Sequence, residues 1–342
     1  MYKKNKNNKK IIIFIILILI NFRFFYSNIK KIIIEIDLSG GFIGEGGPAK
    51  FVRGLNETLP YNTRNCRFIS SKKISPNNGR NKSDFFYLPF PYFSESIYKQ
   101  WISNKRINKI LLGPCFVPTL WCSFPRNKIW YESRFREVLN AVKGVVVHSY
   151  RVRNHLIGKS NTSDMKNKFK IVRACTNLKP EYIKSFKDRE IDIILFEKYE
   201  DLNRAKQGAQ LFDMLNNSSL KVVRLKYRNY TKKQMMALSE NSKFIIYFSF
   251  FDTGAIGLKE IQNHGVISFS HQLDLANNRY ASYYIPELGD TLDMKAAYKK
   301  ILFIIRRLMK FLPNTKKIAK LNQQINKCQK ALDDLCKGIN IK

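Results

Sequence analysis

The chain has 342 residues, enough for two cores of roughly 150 residues each, and its 44% hydrophobic and 13% aromatic content excludes a disordered, charge-rich polypeptide. Against 26 acidic residues stand 61 basic ones, a formal charge of +35. The lysines are spread along the whole sequence among Asn and Ile, without RNP-type aromatics, zinc-finger spacing or a basic heptad segment. Compositional bias therefore accounts for them better than a dedicated polyanion site, and no nucleic-acid partner is expected.

At the N-terminus Lys3, Lys4, Lys6, Lys9 and Lys10 precede an apolar run, Ile11 to Ile20, with Arg23 among the aromatic residues that follow. A ten-residue helix reaches about 15 Å, half a bilayer core, so a full span is not expected. Three readings remain open for residues 1–30: a secretory apolar region, a short membrane anchor, and a translated leader ahead of the fold. The location they imply is cytoplasmic or membrane-associated, with at most one N-terminal membrane segment and an anionic membrane surface as a contact.

From Lys31 short apolar strands alternate with amphipathic helices, the order of an open parallel sheet covered on both faces. Strands are predicted over Ile32 to Ile36, Cys66 to Ser70, Asp84 to Leu88, Ile110 to Gly113 and Val145 to His148, with a helix over Ile129 to Val142. A polar stretch, Leu178 to Arg189, precedes a second series: strands at Ile191 to Phe196, Lys221 to Leu225, Phe244 to Phe248 and Val266 to Phe269, and helices near Lys206 to Leu215 and Lys232 to Ser239. After Asp293 apolar residues recur at three- and four-residue steps until Pro313, a long helix. The expected division is a basic and apolar segment at 1–30, Rossmann-like domains at 31–178 and 190–292, and a helical segment at 293–342.

Six cysteines, at 66, 115, 122, 175, 328 and 336, include no CxxC pair and no His at ligand spacing, so neither a metal nor a disulfide framework is expected.

Three stretches carry chemistry. The first strand runs into a glycine-rich segment ending Gly46-Gly47-Pro48-Ala49, where a helix start leaves N–H groups for an anion; a ligand-free turn is the alternative. Asp252 follows the strand Phe244 to Phe248, where open α/β sheets place ligands, with Gly254, Ala255 and Ile256 at the next helix start. Glu260 stands eight residues on, able to project along the same edge. Paired acids suit sugar and ribose hydroxyls; an N-cap and a solvated surface acid are the bland alternative. Lys198, Arg204 and Lys206 cluster after the strand from Ile191, and His148 ends a strand facing the expected cleft.

The segment Asp252, seven residues, Glu260, then Ile-Gln-Asn-His-Gly265 resembles the acidic motif of the retaining GT-B glycosyltransferases of family 4. Gly46-Gly47-Pro48-Ala49 resembles that family's Gly-Gly turn, Gly144 to Arg151 its Val-x-x-Ser strand end, and Lys170 to Leu178 its Val-x-x-Asn-Gly-Val element. Ile194 to Lys198 with Lys206-Gln-Gly208 resembles its Gly-Arg and Lys-Gly cations, Lys198 standing for Arg.

The resemblance covers roughly residues 31 to 270. It implies a GT-B fold of two Rossmann-like doubly wound domains facing a cleft, closed by a C-terminal helix, and a hexosyltransferase. Such an enzyme takes sugar from a nucleotide-sugar donor to a glycan or lipid-linked acceptor with retention and without a metal or cofactor. It further implies that Asp252 meets the transferred sugar and Glu260 the nucleotide ribose, while Gly46, Gly47, Lys198, Arg204, Lys206, Gly254, Ala255 and Ile256 serve the donor phosphates. The competing readings are an inactive carbohydrate-binding or scaffolding relative, suggested by the shortened acid at 252, and a basic polyanion-binding protein.

Overall fold

The structure, a computed structural model, describes residues 31–39, 47–59, 62–63, 65–75, 77, 82–89, 95–114, 136–160, 163–198, 202–227, 229–249, 255–271, 282–289 and 291–339. Two parallel sheets organise them. The first holds β1 (Ile32–Asp37), β2 (Cys66–Ser71), β3 (Phe85–Leu88), β4 (Ile110–Leu112), β5 (Gly144–Val147) and β6 (Phe169–Ile171) in the order β2-β1-β3-β4-β5-β6. The second holds β7 (Ile191–Lys198), β8 (Val222–Lys226), β9 (Ser242–Ser249), β10 (Ile267–Ser270) and β11 (Ser282–Tyr284) in the order β11-β10-β9-β7-β8.

Every strand pairing in both sheets is parallel. Counted from its own first strand, each sheet contains the doubly wound order 2-1-3-4-5, in which the winding direction reverses beside the first strand. The α/β class with two such units is therefore present, the arrangement of the GT-B fold. Strands buried on both faces explain why β9, Ser-Lys-Phe-Ile-Ile-Tyr-Phe-Ser, reads as a continuous apolar run rather than an alternation. Two strands absent from the sequence reading, β6 (Phe-Lys-Ile) and β11 (Ser-Tyr-Tyr), are three residues long and lack the unbroken aliphatic run by which the equally short β4 (Ile-Leu-Leu) is read.

Helices cover both faces. In the first unit α1 (Gly47–Thr58) packs Phe51, Val52 and Leu55 on one face. Trp101 of α2 (Glu95–Ser103), Val152 and Leu156 of α3 (Tyr150–Ser160), and Val138 and Leu139 from the helical residues 136–141 fill the other. In the second, α4 (Leu202–Asn216) and α7 (Met294–Phe311) share one face, while α5 (Lys232–Asn241) and α6 (Ile256–Gln262) share the other. Asp293 caps α7 by accepting from Ala296 N at 3.0 Å.

Beyond Pro313 the chain does not stop at the second unit. α8 (Thr315–Asn326) lies against α6, and α9 (Cys328–Ile339) returns to the first unit, placing Leu332, Leu335 and Ile339 in the core beneath α1. Gly54 permits this approach, since a Cβ there would stand 2.6 Å from Cys328 Sγ.

The disulfide expectation is corrected here. Cys66 pairs with Cys336 and Cys175 with Cys328, with Cα atoms 6.0 and 4.9 Å apart, so both bridges tie α9 to the first unit. Their sequence separations of 270 and 153 residues explain why spacing alone did not suggest them. Cys115 and Cys122 lie outside the described residues, as do residues 1–30; among the described residues no helix is long and apolar enough to cross a membrane.

Candidate functional site

In each unit the winding reverses between the first and third strands, β1 and β3 in one and β7 and β9 in the other, and such reversals open a crevice at the carboxyl ends. α1 leaves the crevice of the first sheet after β1, and α6 leaves that of the second after β9. These two helices touch. Ile256, in the first turn of α6, is counted in the apolar core of the first unit rather than its own.

At this contact Lys50 Nζ of α1 donates to Glu260 Oε2 of α6 at 2.6 Å, with side-chain exposures of 17% and 4%. A carboxylate so far from water requires a charged or hydrogen-bonding partner, and Lys50 supplies it from the opposite unit.

The far end of α6 is held independently. Asn263 Nδ2 donates to Leu178 O at 2.8 Å, Asn326 Nδ2 to Asn263 Oδ1 at 2.9 Å, and Asn322 Nδ2 to Gln262 O at 2.7 Å. Gly265, with φ +80°, ends this turn so close to α8 that a Cβ would meet Thr315 O at 2.4 Å. Behind it the buried Arg189 donates to Ser242 O and His264 O, both at 2.5 Å, and burial lowers its pKa to about 10. Glu260 therefore sits on a helix fixed at one end by amides and at the other by packing across the units.

The neighbouring His264 is 2% exposed; burial, and then the charge of Arg189, lower its pKa to about 4. It is a neutral core residue with Nε2 3.4 Å from Met236 Sδ. His148, the candidate cleft residue, lies edge-on to Phe51 with ring centroids 4.9 Å apart, and its Nδ1 is 2.9 Å from Val172 O. A carbonyl only accepts, so Nδ1 carries the hydrogen.

Two of the predicted cations, Lys198 and Lys206, both lie near Tyr227. β7 alternates, sending Glu197 and Lys198 to opposite sheet faces. The Lys198 ammonium lies 5.1 Å from the Tyr227 ring centroid. Lys206, Arg224, Lys226 and Tyr227 line a cavity of about 550 Å³. Tyr227 thus contacts Lys198 and shares that cavity with Lys206. Arg224 makes a fork with the buried Glu197, Nε to Oε2 at 2.5 Å and Nη2 to Oε1 at 2.9 Å. Arg204 is buried in the first turn of α4.

Ala255 adopts φ +46° at the N-cap of α6, a left-handed geometry uncommon for a residue with a side chain, and Ile256 follows buried. Gly47 opens α1. Gly46, Asp252 and Gly254 lie outside the described residues. Among the described residues no cluster of three or more His, Cys, Asp or Glu side chains is placed to hold a metal.

No family model and no curated protein matches the chain. Solved structures do align with it. The lipopolysaccharide outer core galactosyltransferase WaaB aligns over 91% of this chain and 99% of its own, at 11% identity and a TM-score of 0.48. An S. aureus TarM mutant in complex with Fondaparinux, alpha-GlcNAc-glycerol and UDP aligns over 85% of this chain, at 10% identity and a TM-score of 0.47. The GtfA/B complex aligns over 75% of this chain, at 11% identity and a TM-score of 0.48. The chain spans 59% of the TarM chain and 57% of the GtfA/B chain. At one-tenth identity no residue role passes from them to this chain; the fold stands on its own strand order.

Sequence reasoning missed Lys50 and the Glu197–Arg224 fork. Neither residue type stands out in a lysine-rich chain, and the partner of Lys50 is 210 residues away. The available signal was position: Lys50 is the fourth residue of the helix that follows the glycine-rich segment.

Proposed function

We propose that the chain is a retaining, metal-independent glycosyltransferase that moves a hexose from a nucleotide-sugar donor to a glycan or lipid-linked acceptor. The observation that carries this reading is the meeting of α1 and α6, the helices leaving the two sheet crevices, with a buried carboxylate at the junction. Ligands of open α/β sheets bind at such crevices, and a low-dielectric carboxylate is a strong acceptor for vicinal hydroxyls.

In this reading the second unit, residues 190–292, holds the donor and the first, residues 31–178, receives the acceptor. Glu260 accepts from the ribose hydroxyls and Asp252 from the transferred sugar. Lys198, Arg204 and Lys206 offset the charge that develops on the diphosphate as the glycosidic bond breaks. Gly46, Gly47, Gly254, Ala255 and Ile256 bring backbone close to the phosphates, and His148 lies toward the acceptor side. No cofactor takes part; the nucleotide sugar is a substrate.

The test is a thermal-shift panel of UDP-, GDP- and ADP-sugars on the full chain, followed by turnover assays. A true donor raises the melting temperature by mass action where unrelated nucleotides do not. Turnover then persists in EDTA and disappears in Glu260→Ala at unchanged fold. Binding without turnover would replace the enzyme with an inactive carbohydrate-binding relative. No response to any nucleotide sugar, together with salt-sensitive nucleic-acid retention that survives Glu260→Ala, would replace it with a polyanion-binding protein.

A further inference from the structure

The inner face of α7 is accounted for: Met294, Ala297, Ile301 and Ile305 lie in the core of the second unit. Its outer face is not. At 100° per residue, Lys295, Lys299, Phe303, Arg306, Arg307, Lys310 and Phe311 all fall within an arc of about 160° centred on Phe303. Each of these residues is exposed. Phe303 is 67% exposed, Phe311 73% and Leu312, at the helix end, 59%.

Two features separate this face from ordinary surface in a basic chain. The first is the absence of acid. α7 contains no Asp or Glu in 18 residues, a longer acid-free run than α3 (11 residues) or α8 (12 residues), whereas α4 carries Asp213, α5 Glu240 and α9 both Asp333 and Asp334. Lys300, which also falls within the arc, is half-buried and engaged by Glu287 at 3.3 Å. No ion pair among the described residues takes up Lys295, Lys299, Arg306, Arg307 or Lys310. The second is the apolar side chains set among these charges, which lie largely in water along a helix about 27 Å long.

We infer that the outer face of α7 docks on an anionic lipid bilayer, its five cations meeting phosphate and carboxylate headgroups while Phe303, Phe311 and Leu312 enter the interface. Charge complementarity accounts for the cations, each basic side chain near an anionic leaflet adding to binding. The apolar residues decide between polyanions. An aliphatic Leu312 and two unsupported phenyl rings gain by leaving water for the headgroup boundary, whereas a duplex backbone offers them no apolar contact. The inference is independent of the proposed glycosyl transfer, because no residue of the candidate site is used.

The test uses the full chain in flotation with phosphatidylcholine vesicles, with and without phosphatidylserine. The parent floats with the anionic vesicles. A variant carrying Lys299→Glu, Arg306→Glu and Lys310→Glu, all at exposed positions, binds them roughly tenfold or more weakly at an unchanged melting temperature. The basic N-terminal segment contributes equally to both proteins, so a second readout locates the contact: in Phe303→Trp the added emission is quenched by bromine-labelled lipid. Vesicle binding unchanged in the triple variant, or bound Phe303→Trp protein without quenching, would overturn the inference. So would a triple variant that keeps vesicle binding but loses RNA retention or self-association, assigning the face to those partners instead.

Discussion

Lys50 Nζ stands 2.6 Å from Glu260 Oε2, and the two residues belong to different sheet units. The pair is more than surface decoration because its acid is almost wholly out of water. Removing the lysine alone leaves a buried charge without compensation, whereas removing both charges does not.

Lys50→Met should therefore lower unfolding stability by about 3 kcal/mol, and adding Glu260→Gln should recover most of that loss. Chemical denaturation of the two single variants and the double variant measures the coupling. Additive losses would mean that the two side chains do not interact in solution.

His264 makes acid sensitivity predictable. Its folded pKa is about 4 against an ordinary 6.5, so between those values the unfolded chain binds more protons than the folded one. Stability from this group is complete above about pH 6.5 and is lost as pH falls toward 4, amounting to about 3 kcal/mol at the acid end. Denaturation curves across this window should be flatter for His264→Gln than for the parent; parallel curves would contradict the assignment.

Gly265→Ala places a methyl group 2.4 Å from Thr315 O at a backbone φ of +80°. Both effects oppose folding, and the expected loss is about 2–4 kcal/mol, read as a lower melting temperature. Because Thr315 begins α8, protection of α8 amides from hydrogen exchange should fall more than that of β1.

The two bridges predict a mass-spectrometric result. Peptides containing Cys66 and Cys336, and those containing Cys175 and Cys328, should be recovered linked from protein kept oxidised. Cys66→Ser should lower stability by about 2–4 kcal/mol in that state and little under reductant. Recovery of all four thiols unlinked would remove the bridges.

Under the proposed glycosyl transfer, Lys198→Arg should lower the donor KM several-fold, because a guanidinium fork fixes a diphosphate oxygen pair where an ammonium does not. An unchanged or raised KM would place Lys198 outside the donor site.

Local patterns made much of the fold legible. β7 and β9 are continuous apolar runs ended by polar residues, and α7 shows its buried stripe in Ala297, Ile301 and Ile305. What escaped was set by long-range geometry. β6 and β11 owe their extended form to a neighbouring strand, Lys50 to a partner in the other unit, and the cysteine pairs to the return of α9. The candidate site was half visible for the same reason: Glu260 lies in a recognisable motif, but Tyr227 joins Lys198 to the cavity of Lys206 only once β7 and β8 are paired.

The bridges on α9 give the chain the connectivity of a closed ring: out of the first unit through residues 172–190, through the second, and back across Lys327 to sulfur atoms anchored under β2 and beside Asn177. Because those bridges hold α9 inside the first unit, the two units are joined at two chain crossings, and any relative movement must bend residues 178–190 and the α8–α9 junction at Lys327 together.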